Sequence, residues 1–163
     1  MDPNDFKSGM RRLAAGVSLI TCECDGVRHG LIATAVTSLS AEPPSLLICV
    51  NASASIHEHL SEAKSFCVNV LSRGQQDVAM RFATPKDRET RFEMGDWTEL
   101  ETGAPALRGA QVSFDCRPAQ KSAFGTHTIF IGEVVAVTDW GSVSDPLLYH
   151  DGRFESLTRT ESV

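Results

Sequence analysis

Three short stretches carry groups that could hold a polar ligand or titrate beside one. The first is Leu31-Ile32-Ala33-Thr34-Ala35-Val36-Thr37-Ser38-Leu39-Ser40, where small and hydroxyl side chains run up to Ala41-Glu42-Pro43-Pro44. Small side chains let a flat ligand approach the backbone, and hydroxyls and amides can bond its polar edge. Threonines also simply suit extended backbone. The second is Asn51-Ala52-Ser53-Ala54-Ser55-Ile56-His57, between an apolar run and a helix start. Free N–H groups and a partial positive charge there favour phosphate, although capping of the helix by Ser55 needs no ligand. The third is Gly125-Thr126-His127-Thr128, a histidine entering a long apolar stretch just after a glycine. It is either the titratable group nearest reacting atoms or a satisfied core or surface imidazole.

Other chemistries lack their residues. His29, His57, His59 and His150 are scattered, and His57 and His59 stand two apart on a helix, where they do not share a face. The cysteines (Cys22, Cys24, Cys49, Cys67 and Cys116) are odd in number and contain no C-x-x-C pair, so they read as reduced structural thiols and no metal is expected. No nucleophile elbow, Walker loop or H-E-x-x-H occurs, and without G-x-G-x-x-G a dinucleotide is not held in a Rossmann crevice. A net charge of −6 gives nucleic acid no electrostatic footprint. No basic amphipathic helix, membrane-length apolar run or signal-like start is present, so a cytoplasmic protein without membrane association is expected.

The elements that must position these residues follow from periodicity and turn chemistry. The 163 residues suit one domain, 1–163. Phe6, Met10 and Leu13 predict a helix over about Pro3–Ala15, laid against the core by its apolar face and ended by Gly16. Strands are expected over Gly16–Cys24 and Arg28–Val36, joined at Asp25-Gly26, and over Ser45–Val50 and Ser65–Leu71. Ser55-Ile56-His57-Glu58 and Ser72-Arg73-Gly74-Gln75 match capping boxes, the second opening a helix through Val78 and Phe82 that stops at Thr84-Pro85. Lys86–Gly95, charged and turn-rich, reads as a mobile surface loop. Further strands are expected over Gln111–Cys116, with Val112, Phe114 and Cys116 on one face, and over Thr126–Val137. Leu147-Leu148-Tyr149 leads to a turn at Asp151-Gly152, and Thr158–Val163 should fray. Many strands with few helices favour an antiparallel barrel over a doubly wound sheet.

In order and spacing, these landmarks resemble the short-chain flavin reductase family. They are Met10-Arg11-Arg12-Leu13-Ala14-Ala15-Gly16-Val17, Ala33 to Ser40, Pro43-Pro44, Phe66 to Leu71, Arg81-Phe82, Gly103-Ala104-Pro105 and Gly125 to Val134. The resemblance runs from about Phe6 to Phe154. It implies a mainly β fold, an antiparallel split β-barrel of Greek-key type with a few short helices. It also implies a homodimer binding FMN or FAD between barrel and subunit interface, with NADH, or NADPH, as hydride donor. By the same resemblance Ala33, Thr34, Ala35, Val36, Thr37, Ser38 and Ser40 would line the flavin. Asn51, Ala52, Ser53, Ser55 and Ile56 would cradle its phosphate. Arg81 and Phe82 would add a cation and an aromatic contact, His127 would sit near the nicotinamide, and Arg153 would meet dinucleotide phosphates. Many members carry Gly-Asp-His where this chain has Gly125-Thr126-His127, which leaves the histidine without its usual acidic neighbour.

The reading that results is an NAD(P)H:flavin oxidoreductase supplying reduced flavin to a partner monooxygenase. Its alternatives are a reductase of another acceptor, such as a corrinoid or metal complex, and a flavin-binding electron carrier without dinucleotide turnover.

Overall fold

Asp25 and Gly26 both adopt positive φ, 52° and 75°, as a two-residue hairpin turn of the primed type requires. They join β2 (Ser18–Cys24) to β3 (Val27–Ala33). This hairpin opens one edge of a seven-stranded antiparallel sheet in a computed structural model that describes residues 1–141 and 144–157. The remaining strands are β4 (Val36–Ala41), β5 (Pro44–Asn51), β6 (Phe66–Val70), β9 (Val112–Phe124) and β10 (His127–Asp139). Their order across the sheet is β3-β2-β6-β9-β10-β5-β4. Inward residues from all seven strands, Ile20, Leu31, Val36, Ile48, Phe66, Cys116 and Phe130 among them, meet in one core, so the sheet curls about it. The two edges, β3 and β4, follow one another in the chain. Gly132 permits close packing here, since a Cβ on it would lie 2.4 Å from the Phe66 ring.

A second core gathers Val17, Leu19, Leu71, Phe82, Leu107 and Leu147 under α3 (Gln76–Ala83). Two small sheets complete the molecule: β1 (Ala15–Gly16) with β11 (Leu148–His150) and β12 (Arg153–Glu155), and β7 (Trp97–Glu99) with β8 (Pro105–Leu107). Ser72-Arg73-Gly74-Gln75 forms its capping box, with Ser72 N–H donating to Gln75 Oε1 at 3.1 Å.

Six expectations need correction. Helix α1 spans Pro3–Met10 and buries nothing: Phe6, Met10 and Leu13 are 55%, 49% and 61% exposed. Its N-cap, Asp2 Oδ1 accepting from Asn4 N–H at 2.8 Å, stabilises it locally. Gly16 does not end it but pairs with Leu148, because the strand partner wins that segment. The expected Arg28–Val36 strand divides at Thr34-Ala35, since β3 bonds to β2 while Val36 pairs with Ile48 of β5. Ser55 caps nothing. Helix α2 (His57–Glu62) starts from Ile56, which is already helical at φ −80°, ψ −18° and is buried as an apolar anchor.

Residues 86–95 are not a free loop. Arg88–Glu93 forms a 3₁₀ segment docked by Phe92, whose ring meets Phe82 at 5.1 Å and Trp97 at 4.7 Å. One aromatic among charges outweighs the local polarity. Finally, β9 runs to Phe124, well past Cys116, and every residue from Arg117 onward is exposed. A strand wet on both faces has no hydrophobic alternation to betray it. On its buried part, the face opposite Val112 and Cys116 carries Ser113 and Asp115, both fully buried. Thr158–Val163 lies outside the described residues.

Candidate functional site

Strands β5 and β10 bring two of the three stretches together. Their register sets His127 directly opposite Asn51 and Thr128 opposite Val50. The β9–β10 turn is two residues, Gly125-Thr126, with the positive φ of 57° on the glycine. From that turn Thr126 C=O accepts from Ala52 N–H at 2.9 Å, tying the hairpin tip to the segment after β5. Asn51 Oδ1 accepts from both Ser53 N–H and Ser53 Oγ–H at 2.9 Å, and Ala54 N–H donates to Asn51 C=O at 2.9 Å. Asn51–Ala54 is thus a closed turn with Ser55 exposed at its exit.

His127 is exposed, and its Nδ1 is hydrogen-bonded to Thr126 Oγ1 at 2.9 Å. The threonine therefore orients the ring. Beneath it, His57 Nε2 is hydrogen-bonded to the buried Thr128 Oγ1 at 2.8 Å, which joins α2 to β10.

The first stretch splits. Ala33 to Val36 reaches the same end of β5, where Ala35 C=O accepts from Cys49 N–H at 3.0 Å. From there β4 runs away: Thr37 lies opposite Leu47, Ser38 opposite Leu46 and Ser40 opposite Ser45, six residues from Asn51. At strand rise that is about 20 Å. Thr34 also borders two clefts on either side of Tyr149, of about 310 and 320 Å³. One is lined by Leu31, Ile32, Phe82 and Phe154, the other by the apolar face of α1.

Phe82 is only 3% exposed, so its ring belongs to the second core and touches a cleft by its edge. Arg81 donates to Thr90 Oγ1 at 2.6 Å and pairs with Asp87 at 3.2 Å. Arg153 stands apart in the β11–β12 hairpin, near Asp151 at 3.9 Å and Glu155 at 3.7 Å.

Residues that sequence reasoning passed over line a third cleft of about 260 Å³: His29, His59, Arg88, Arg91 and Phe92, beside Ser55 and Ile56. Arg91 is 7% exposed, and burial, then Arg88 and Arg81, lowers its guanidinium pKa. Its signal was the pairing Arg91-Phe92 inside a stretch otherwise read as loop. The cysteines add no reactive group here. Burial pushes the Cys22 and Cys116 thiols up to about 12, with Cys24 and Asp115 respectively adding to it, and pushes Cys67 well up.

An exposed hydroxyl turn, an oriented imidazole across one strand pair, and crowded arginines within reach of the turn fit a phosphorylated planar cofactor. The flavin reductase-like domain family matches residues 10–158. The chain belongs to this family. Over 160 residues it is 41% identical to the FMN reductase (NADH) RutF 1 of Methylorubrum extorquens strain PA1, covering 98% of this chain and 79% of that one. The NADH:FAD oxidoreductase SgcE6 of Streptomyces globisporus, solved with NAD and FAD fragments, superposes with a TM-score of 0.90 at 32% identity, covering 99% and 98%. BorF, the flavin reductase component of a bacterial two-component tryptophan halogenase, gives 0.88 at 34% identity, covering 98% and 100%. The flavin reductase fold is therefore mainly β and antiparallel here as in these relatives. Among the described residues no helix is long and apolar enough to cross a membrane.

Proposed function

We propose that the protein reduces FMN or FAD with NADH and passes the reduced flavin to a partner monooxygenase. The observation that carries this reading is the register of β5 and β10, which sets His127 against Asn51 at the head of the hydroxyl turn. The hydride exchange itself is the chemistry of nicotinamide and flavin. The protein's part is to bind and orient. Ser53, Ser55 and the amides of the 51–56 turn would receive the flavin phosphate, and Ala33 to Val36 would let its ring approach the backbone. Backbone N–H groups along that strip can stabilise negative charge arriving on the ring's polar edge. His127, held by Thr126 at Nδ1, would position the dinucleotide through its hydrogen-bonding edge. No nucleophile is required for that exchange.

A homodimer is part of the same proposal. Strand β4 is a sheet edge with Thr37–Ala41 exposed, and the Arg117–Phe124 arm is exposed throughout, with Phe124 85% exposed at its tip. Such edges invite a second chain. The oxygenase partner rests on the role of relatives such as BorF as a reductase component.

The test is NADH oxidation followed with FMN and with FAD, beside flavin binding. Steady turnover with either flavin is the expected result. Binding without turnover would make the protein a carrier, and neither would remove the reading altogether.

A further inference from the structure

Segment 51–56 leaves β10 and returns to it at the same residue. Val50, just before the segment, lies opposite Thr128 in the β5–β10 register. His57, just after it, is hydrogen-bonded through Nε2 to Thr128 Oγ1 at 2.8 Å. Between the two, Asn51 lies opposite His127, and Ala52 N–H donates to Thr126 C=O at 2.9 Å. The consecutive residues Thr126, His127 and Thr128 therefore frame the whole segment, with the imidazole in the middle. Side chains alternate along a strand, so Thr128 points into the core at 6% exposure while His127 faces solvent. A grip on Thr128 from beneath thus fixes the strand beside His127 and leaves the outer face of that ring open.

At the far end of the segment, direction comes from His57. Helix α2 has six residues and no side-chain cap. Ile56 and Leu60 anchor it in the core, but apolar burial is non-directional. A hydrogen bond is not. Among the described residues the bond to His57 is the one that the Thr128 hydroxyl makes, and leaving that hydroxyl buried without a partner would be costly. The His57 ring also packs edge-to-face on Phe130 at 5.6 Å, which steadies it, and its backbone N–H donates to Ala54 C=O at 2.9 Å. One residue joins turn, helix and strand.

We propose that His57 is a positioning residue for the flavin reductase reaction. By closing segment 51–56 onto Thr128 it sets the phosphate-binding turn at a fixed separation from His127, so that flavin and dinucleotide meet in one geometry. A loop already closed at both ends has less freedom to lose when a ligand binds. The proposal rests on the reading of this turn as the flavin-phosphate site, whereas the closure itself can be measured without flavin.

Three variants separate the contributions. His57→Phe keeps a ring against Phe130 and removes the hydrogen bond, Thr128→Val removes the hydroxyl alone, and His57→Gln puts an amide where Nε2 stood. Hydrogen exchange at the Ala52 and His57 amides is followed in flavin-free protein, then FMN affinity, then KM and kcat for NADH at saturating FMN. His57→Phe and Thr128→Val should each speed exchange at both amides and weaken FMN by about tenfold, and raise KM for NADH about threefold with kcat changed less. The double variant should be no worse than either single one, because both remove the same bond. His57→Gln should recover most of each loss. A lower thermal midpoint with exchange, FMN affinity and KM unchanged would make His57 a purely structural residue and overturn the proposal, as would additive losses in the double variant. If His57→Phe does not fold, Thr128→Val decides by the same criteria. A wild type that binds no flavin would remove the flavin reading and the role built on it, even with faster exchange in the variants. Normal wild-type binding with unaffected variants would overturn the proposal alone.

Discussion

Two groups of polar side chains sit on the same sheet and meet opposite fates. In the first, Thr21, Asn69, Ser113 and Asp115 are all fully buried, and each is hydrogen-bonded. Asn69 is the hub: its Nδ2 donates to Leu19 C=O and Thr21 Oγ1, and its Oδ1 accepts from Leu107 N–H at 2.8 Å and Ser113 Oγ–H at 2.7 Å. Asp115 accepts from Thr102 N–H at 2.7 Å and from its hydroxyl. In the second, Thr34, Thr37, Ser38, Ser40, Asn51, Ser53 and Ser55 are exposed, and the hydrogen bonds of their side chains stay within two residues along the chain. Residue types are nearly the same in both. Saturated partners in a dry interior make a polar cluster structural, and unsaturated ones at a wet rim leave it free for a ligand.

The sharpest way to break this contrast is at the hub. Asn69→Ala takes the acceptor from Leu107 N–H and from the Ser113 hydroxyl, and a donor from Leu19 C=O and Thr21 Oγ1, and should cost about 3–4 kcal/mol in urea unfolding. Flavin affinity of the remaining folded protein should stay the same. A loss of flavin binding at full stability would reverse the assignment. At the rim the opposite pattern is expected. Ser53→Asp with Ser55→Asp should weaken FMN binding by about tenfold or more through charge repulsion, with little change in thermal midpoint.

His127→Ala should raise KM for NADH by roughly fivefold while flavin binding changes less, the signature of lost ground-state positioning. Asn at this position should recover part of the loss. Thr126→Val, which removes only the bond to Nδ1, should give a smaller shift in the same direction.

The buried thiols beside the structural cluster predict a pH dependence that the rim does not share. Cys22, Cys67 and Cys116 have folded-state pKa values raised above the ordinary 9.0, Cys22 and Cys116 to about 12. Their neutral forms favour the fold fully below pH 9, and unfolding becomes easier as pH climbs from there toward 12, because the unfolded chain releases those protons first. Chemical denaturation at pH 8 and pH 10.5, repeated with Cys116→Ser, measures it. A midpoint independent of pH would count against burial of these groups.

Ser55→Ala gives the smallest effect. A capping serine would cost about 0.5–2 kcal/mol, but the exposed Ser55 caps nothing, so stability should move by no more than about 0.3 kcal/mol. A larger drop would restore the cap that the capping-box pattern suggested.

What could be read along the chain was whatever local chemistry decides. The Asp25-Gly26 and Asp151-Gly152 turns, the Ser72 capping box and the alternating apolar strands obey short-range rules, and all stand in the structure. So did the order of motifs that marked the flavin reductase resemblance. The misses share a cause: a distant partner overrode a local preference. Gly16 pairs with Leu148 where a helix should have ended, and Phe92 anchors a charged segment through Phe82 and Trp97.

For the site, residue types alone named the hydroxyl strip, the Asn51 turn and His127 as three separate possibilities, which the family resemblance joined in one expected flavin site. Only the antiparallel register of β5 and β10 made the last two one place, and only the divergence of β4 separated Ser38 and Ser40 from it. The cleft of Arg88, Arg91, His29 and His59 left only the Arg91-Phe92 pairing as a trace in the sequence, because its walls come from three elements far apart in the chain. Residue type and spacing determine what chemistry a segment can offer. Which segments share a volume, and whether their polar groups are already satisfied, depends on pairing and packing between distant parts of the chain, and that only the tertiary structure decides.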